Sequence, residues 1–318
     1  MFPEAKETLT RNLIDFQGHV NNNCRMIDLH IHTIASSDGQ HTPEEIFALA
    51  GRHGLKAIAF ADHNSVGSVP EGVRLGKETG IEFVPAIEIN TFYSDLDLHL
   101  LAYFIDYEGT SVQDWLATIR VEKERQALGR IARLQELGFV LTAEDVRRHS
   151  GGKIPTGYSY LKAILDRKEN KEDPRLKTYT EGNSARSPYY RFYHDWLKGG
   201  KPAYVPIEAL ATPAVIKRVL KWKAVPVLAH PIDTPDRVIM DLIDAGLMGL
   251  EVYNSYHSAE RVKHLEAIAG GHNLLMTSGS DFHGQKMKPD IEMGRLQGNE
   301  MSLLDALKSA KARLDADS

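Results

Sequence analysis

Seven short apolar runs recur along the chain from residue 27 onward: IDLHIHT (27–33), AIAFADH (57–63), EFVPAIEI (82–89), LHLLAYFI (98–105), VPVLAH (225–230), GLEVYN (249–254) and LLMTSGSDFH (274–283). Each is rich in branched apolar residues and too uniformly apolar for a strand with one wet face. Such runs read as strands buried on both sides, as in parallel sheets covered by helices. Helix-start signals lie between several of them. Thr42 precedes Pro43, Glu44 and Glu45, and Thr212-Pro213 and Thr234-Pro235 repeat that punctuation, the pattern of an N-cap with proline in the first turn. Strand, loop and helix alternating in this way predict an α/β fold, and seven strands in one unit predict a barrel.

Residues 111–205 break the rhythm. One long helix is expected from Asp114 to Gly138, with Trp115, Ile119, Leu128, Ile131 and Leu134 at helical spacing. Further helices are expected around 155–166 and 187–198, separated by the polar stretch KENKEDPRLKTYTEGNSARS, which reads as a mobile loop. The expected organisation is an N-terminal extension (1–26), a barrel formed by 27–110 with 206–318, and a helical insertion (111–205) capping the barrel mouth. The extension has early acids and no apolar core, unlike a signal peptide, and reads as a solvated lead-in with a short amphipathic stretch around Leu9, Leu13 and Phe16.

The placement of histidines carries the chemistry. The chain has fourteen. His30 and His32 stand two apart, so on a strand both imidazoles face the same side. Asp38 follows in the next loop, and His63 ends the second run. Glu88 lies in the third run and His99 opens the fourth. His230 ends the fifth, and Asp281 and His283 close the seventh. In α/β barrels the carboxyl ends of the strands form the active-site face, so these nine residues are expected to converge at one mouth. Imidazole and carboxylate donors without thiolate suit Zn²⁺, Fe²⁺ or Mn²⁺. His19, His53, His149, His194, His264 and His272 show no partner pattern and are expected at the surface. His41 and His257 lie in loops near the mouth and are candidates for substrate contact.

Composition excludes several classes. With 38 Lys plus Arg against 43 Asp plus Glu, the chain lacks the basic footprint that wrapping a long duplex requires. No segment is apolar for the roughly 18 to 20 residues of a membrane helix. A lone cysteine, Cys24, rules out an intrachain disulfide framework and suits a reducing, cytoplasmic setting. Oligomeric state is left open.

The elements DLHIHTIASSDG, ADHN, AIEI, AHP and SGSDFHG, in this order over residues 27–105 and 224–290, resemble the PHP (polymerase and histidinol phosphatase) family of metal-dependent phosphoesterases. The resemblance implies a distorted TIM-like barrel of seven strands, (β/α)7, with nine ligands for up to three divalent ions. Carried over, the first ion takes His30, His32, Glu88 and Asp281. The second takes Glu88, His99 and His230, with Glu88 as the bridge, and the third takes Asp38, His63 and His283. The chain looks most like the family's small nucleotide-phosphatase branch, which also carries a helical insertion after the fourth strand. That branch commonly shows an Arg-Pro-His element where this chain reads Lys153-Ile154-Pro155-Thr156.

The expected activity is hydrolysis of a phosphomonoester of a small metabolite, a nucleotide such as a 3',5'-bisphosphate, by a water activated between metal ions. Glu88 and Asp281 belong to that catalytic centre. His257 and Tyr158 are candidates to protonate the leaving oxygen, and Lys153, Arg186 and Lys201 to contact a second phosphate. Glu251 and Asn254 are expected to order the ligands from behind. Histidinol-phosphate phosphatase, short-oligonucleotide exonuclease and a non-catalytic phosphate-binding barrel are the alternatives. An amidohydrolase-like deacylase fits less well, because no run holds a lysine to bridge metals.

Overall fold

A computed structural model describes residues 26–181 and 188–316. The stretch around Leu9 to Phe16, Cys24, His19 and Arg186 lie outside the described residues.

Seven strands form one sheet in chain order: β1 (Met26–Ile31), β2 (Leu55–Phe60), β3 (Glu82–Tyr93), β4 (Leu96–Tyr103), β5 (Val225–Leu228), β6 (Gly249–Asn254) and β7 (Leu275–Gly279). Just beyond β1 and β7 the sheet curls shut. His32 N donates to Phe282 O at 2.9 Å and Asp281 N to His30 O at 2.9 Å. The expected count of seven strands and a nearly closed α/β barrel are therefore observed. The expectation of uniformly parallel strands is not. β4 runs antiparallel to both β3 and β5, whereas the other neighbours are parallel. A two-residue turn at Ser94 and Asp95 joins β3 to β4, with Ser94 at φ 55°. Because β4 is reversed, its beginning lies at the barrel end where the parallel strands finish, and this brings His99 to the mouth.

Alternation along the strands separates chemistry from packing. On β3, Val84 and Ala86 precede Glu88 on one face; on β4, Leu101 and Tyr103 follow His99. These four residues share a buried cluster with Ala57, Ala59, Val225 and Val227, closed by Leu304 and Leu307 of α11 (Met301–Ala316). The barrel is thus a filled core carrying a polar layer at one end.

Helices cover the outside. α1 (Pro43–Arg52) starts in a full capping box, Thr42 with Glu45, as expected. α2 (Val69–Thr79) follows β2. α8 (Thr212–Lys221), α9 (Asp236–Asp244) and α10 (Ala259–Gly271) follow on the other side. Thr212 and Thr234 do not cap with their side chains: the caps fall at Ala211 and Pro235, and Thr212 Oγ1 bonds Thr91 Oγ1 instead.

The long expected helix is α3 (Thr110–Glu136). Its Val112, Trp115 and Ile119 pack on the barrel, while Ile131 and Leu134 enter a second core with Phe139, Tyr160, Leu161 and Phe192. Leu128, expected on the buried stripe, is exposed, because the buried face shifts where the helix passes from one core to the other. That second core is built from α4 (Ala143–Ser150), α5 (Gly157–Leu165), α6 (Lys177–Thr180), α7 (Pro188–Phe192) and a π-helical turn at Tyr193–Leu197. The described part of the stretch expected to be a mobile loop is ordered into short helical turns at Lys168–Asn170, Pro174–Leu176 and α6, where Leu176 and Tyr179 are buried. Two apolar anchors in that polar stretch suffice to fold it down. No described helix is long and apolar enough to cross a membrane.

Candidate metal centre

The nine residues expected to converge do so at the barrel mouth. His30 Nε2 and His32 Nε2 lie 3.1 Å apart. Both face Glu88 Oε2, at 3.4 and 3.2 Å, and Asp281 Oδ1, at 3.5 and 3.1 Å. The other oxygen of Glu88 turns the opposite way: its Oε1 meets His99 Nδ1 at 2.9 Å and His230 Nε2 at 3.0 Å. His63 stands between groups, with Nδ1 2.9 Å from Glu88 Oε2 and Nε2 3.6 Å from Asp38 Oδ2. His283 Nε2 reaches Asp38 Oδ2 at 3.3 Å.

Three sets of donors each fall within 4.8 Å of one another: His30, His32, Glu88 and Asp281; His32, Asp38, His63 and His283; and His63, Glu88 and His99. The first matches the expected set. In the other two, His32 joins the Asp38 group and His63, rather than His230, completes the third set. His230 remains tied to that set through Glu88 Oε1.

The donor chemistry fits divalent ions, because imidazole nitrogens and carboxylate oxygens crowd together at the mouth within 4.8 Å of one another in each set. Glu88 Oε2, His63 Nδ1 and His283 Nε2 are buried. Although His63 Nδ1 stands 2.9 Å from Glu88 Oε2 and His283 Nε2 3.3 Å from Asp38 Oδ2, none of the three makes a well-aligned hydrogen bond among the described residues, a costly state that a cation between them would relieve. The far nitrogens are held in place. His30 Nδ1 contacts Glu251 Oε1 at 3.0 Å, His32 Nδ1 contacts Ser36 Oγ at 3.2 Å, His283 Nδ1 contacts Asp281 O at 2.8 Å, and His99 Nε2 contacts Asn90 at 3.0 Å. Holding one ring nitrogen fixes the tautomer and aims the other at the centre. Glu251 and Asn254 stand directly behind this cluster. Glu251 Oε2 accepts from His230 N at 2.8 Å and from Asn254 Nδ2 at 3.0 Å.

Charges respond to this crowding. Burial disfavours ionisation of Glu88, but the neighbouring His99, His63 and His30 outweigh it and hold the carboxyl well below the usual range. Burial likewise opposes a charged His32, yet the adjacent carboxylates of Asp281 and Glu88, at 3.1 and 3.2 Å, lift it to about 9. Protonated imidazole here meets the carboxylates' demand for positive charge, which a bound cation would also satisfy. Two site residues carry unusual backbone: His230 has φ 26° and Asp281 φ 58°. Strain at non-glycine positions is concentrated at functional sites.

A cleft of about 2140 Å³ opens above this centre, walled on one side by barrel loops and on the other by α3 and the insertion. Lys153 and Tyr158 line it. Lys201 is exposed and does not, whereas the nearby Lys198 does. His257 does not line it either: its Nδ1 bonds Val252 O at 2.8 Å, which turns the ring back onto β6. His41 is likewise outside, beside Glu45 at 3.2 Å. Conversely, His149 and His194, expected at the surface, both line the cleft. His264 is a surface residue paired with Asp236.

The sequence reading missed three further groups. Tyr256 Oη and Lys288 Nζ both donate to Asp281 Oδ2, at 2.8 and 2.5 Å. On the opposite wall, half-buried Lys123 of α3 forms no ion pair among the described residues, and burial together with Arg130 lowers its ammonium to about 8. Lys288 follows the last strand, so the strand-end rule could have flagged it; Lys123 on a helix gives no such signal.

A seven-stranded barrel with a histidine–carboxylate centre at its mouth defines a metal-dependent hydrolase class. The PHP domain matches residues 28–181, so the chain carries a PHP domain, and its similarities are to metal-dependent phosphoesterases. It is 25% identical over 263 residues to the 3',5'-nucleoside bisphosphate phosphatase of Chromobacterium violaceum, covering 81% of this chain and 87% of that protein. It is 26% identical to the 5'-3' exoribonuclease Rnm of Salmonella typhimurium, covering 84% and 88%. Among solved structures, one described as a metal-dependent phosphoesterase from Bifidobacterium adolescentis superposes with a TM-score of 0.65 at 26% identity, covering 89% of this chain and 96% of that one.

Proposed function

We propose that His30, His32, Asp38, His63, Glu88, His99, His230, Asp281 and His283 hold up to three divalent ions of the Zn²⁺, Fe²⁺ or Mn²⁺ type, and that the protein hydrolyses a phosphomonoester of a small metabolite, a nucleotide such as a 3',5'-bisphosphate. The observation that carries this reading is the division of Glu88, whose two oxygens face different histidine groups, an arrangement in which one carboxylate would serve two ions. Bound ions would supply Lewis acidity for phosphate oxygens and activate water. The chain's own residues do the rest. Glu251, Ser36 and Asn90 aim the imidazoles. The cations Lys123 and Lys153 line the cleft where a second anionic group would lie. The insertion roofs the cleft as a cap. The similarity to a bisphosphate nucleotide phosphatase supports the substrate class.

A second reading is removal of nucleotides from the 5' end of a short oligonucleotide. The cleft volume favours it, since small-ligand pockets span roughly 300 to 1000 Å³, and so does the similarity to exoribonucleases. Histidinol phosphate needs less room than this.

The test is product release, as inorganic phosphate from 3',5'-bisphosphate nucleotides, nucleoside monophosphates and histidinol phosphate and as mononucleotides from short oligoribonucleotides, after chelation and after reconstitution with Mn²⁺, Fe²⁺ or Zn²⁺. Activity is expected only in the reconstituted enzyme and is expected to be lost in Glu88→Gln. Metal-replete protein inert across the panel, or a Glu88→Gln variant of undiminished turnover, overturns the reading.

A further inference from the structure

Among the described residues eight large apolar side chains are exposed, and five of them line this one cleft: Ile34, Tyr158, Tyr190, Ile232 and Met287. Exposed apolar surface scattered singly needs no explanation, but its concentration in a cleft marks a ligand. The two aromatic members come from the insertion. Tyr158 is 42% exposed and Tyr190 47%. The Tyr158 ring is set by its neighbours rather than left to swing. Tyr189 packs against it edge to face at 4.7 Å and His149 stands 6.4 Å away at 83°. His149 is itself fixed, 2.9 Å from Asp166. Gly157 permits the arrangement, since a Cβ there would lie 2.5 Å from Tyr189 O; only glycine lets α5 approach α7 closely enough to pair the rings.

We propose that Tyr158, buttressed by Tyr189 and His149, is the stacking platform for the nucleobase of the substrate. This inference rests on the phosphoesterase reading for the position of the phosphate, which the metal centre would hold at the other side of the same cleft. A flat apolar face in a cleft that the cations Lys123 and Lys153 also line suits a ligand that is both planar and anionic. A sugar phosphate or an aliphatic amine phosphate has no ring to place there. Every base offers a π face, so the platform selects nucleotides without choosing among them.

The full chain is tested in two ways. Calorimetric binding of adenosine, which has no phosphate, reads the platform without turnover. The ratio of kcat/KM for a nucleoside phosphate to that for a base-free ribose phosphate reads it in the loaded enzyme. Stacking contributes about 1–3 kcal/mol per base, so Tyr158→Ala is expected to lower the ratio by about 5- to 150-fold and weaken adenosine similarly. Tyr158→Phe is expected to restore both. Tyr158→Leu, which keeps apolar bulk without the ring, serves if the alanine variant fails to fold. If wild type binds adenosine through Tyr158 but hydrolyses neither ester, the platform stands and the phosphoesterase reading falls. If adenosine does not bind, or substitution moves both esters equally, the platform is wrong while hydrolysis can stand.

Discussion

Lys288 Nζ lies 2.5 Å from Oδ2 of Asp281, on the side of the carboxylate away from the histidines. Tyr256 Oη occupies the same oxygen at 2.8 Å, and the ammonium sits 5.2 Å from the Tyr256 ring centroid. Only Oδ1 then faces His30 and His32. The pair therefore restricts Asp281 to offering one oxygen to the centre. Supporting partners of this kind are worth about 10- to 100-fold in metal affinity. Lys288→Met is expected to lower affinity at this set by that order, measured as ion retained after graded chelation. Retention equal to wild type would show that the lysine only neutralises surface charge.

Glu251 touches three partners at once: His30 Nδ1, His230 N and Asn254 Nδ2. Glu251→Gln keeps an acceptor but removes the charge that makes His30 a stronger donor to an ion, and should cost about 10- to 100-fold in metal affinity. Glu251→Ala also orphans the buried His230 amide, adding about 1–3 kcal/mol of destabilisation. Metal analysis and thermal melts separate the two: a glutamine variant that melts early yet retains its ions contradicts the assignment.

The mouth was legible in the sequence because strand periodicity is simple: His30 and His32, or Asp281 and His283, two residues apart at the end of an apolar run, admit few placements. The reversal of β4 was missed, although the sequence held a signal for it. Parallel neighbours need a crossover of a dozen or more residues, and the runs ending at Ile89 and starting at Leu98 leave only a short link. Polar Asn90 and Thr91 hid the extension of β3 to Tyr93, so the link read as a loop. The cleft wall was not legible. His149 and His194 look like ordinary helical polar residues, and only the packing of α4, α5 and α7 around one core turns them toward the barrel. Lys123 lies where α3 leaves one core for another, a junction that local periodicity does not encode.

Gly279, the last residue of β7, sits directly beside β1. A Cβ there would overlap His30 Cβ and lie 2.5 Å from Glu251 Oε1. Gly279→Ala therefore forces apart the ligand and its support. Overpacking of this kind costs about 1–3 kcal/mol, and the displaced His30 should also release metal more readily. Both effects together are the expected outcome, by denaturant titration and metal analysis. A stable variant with undiminished metal retention would mean that the strand ends relax independently of the centre.

Lys123 gives the pH dependence its sign. Burial, then the charge of Arg130, lowers its ammonium from 10.5 to about 8. Between about 8 and 10.5 the unfolded chain binds the proton and the folded chain does not, so this residue makes stability rise with pH across that window. Below about 8 the folded protein carries the full cost of the buried charge, and Lys123→Met is expected to be the more stable protein at pH 7, its advantage fading toward pH 10.5. Anion binding runs the other way. If Lys123 receives an anionic group of the substrate, affinity for inorganic phosphate or a bisphosphate nucleotide should weaken above about pH 8, by up to about tenfold per pH unit. Lys123→Arg, which keeps its charge through this range, should flatten that dependence. A pH series of inhibition constants for wild type and both variants decides it. Identical slopes in all three would remove Lys123 from the binding site, while the stability difference would still report its burial.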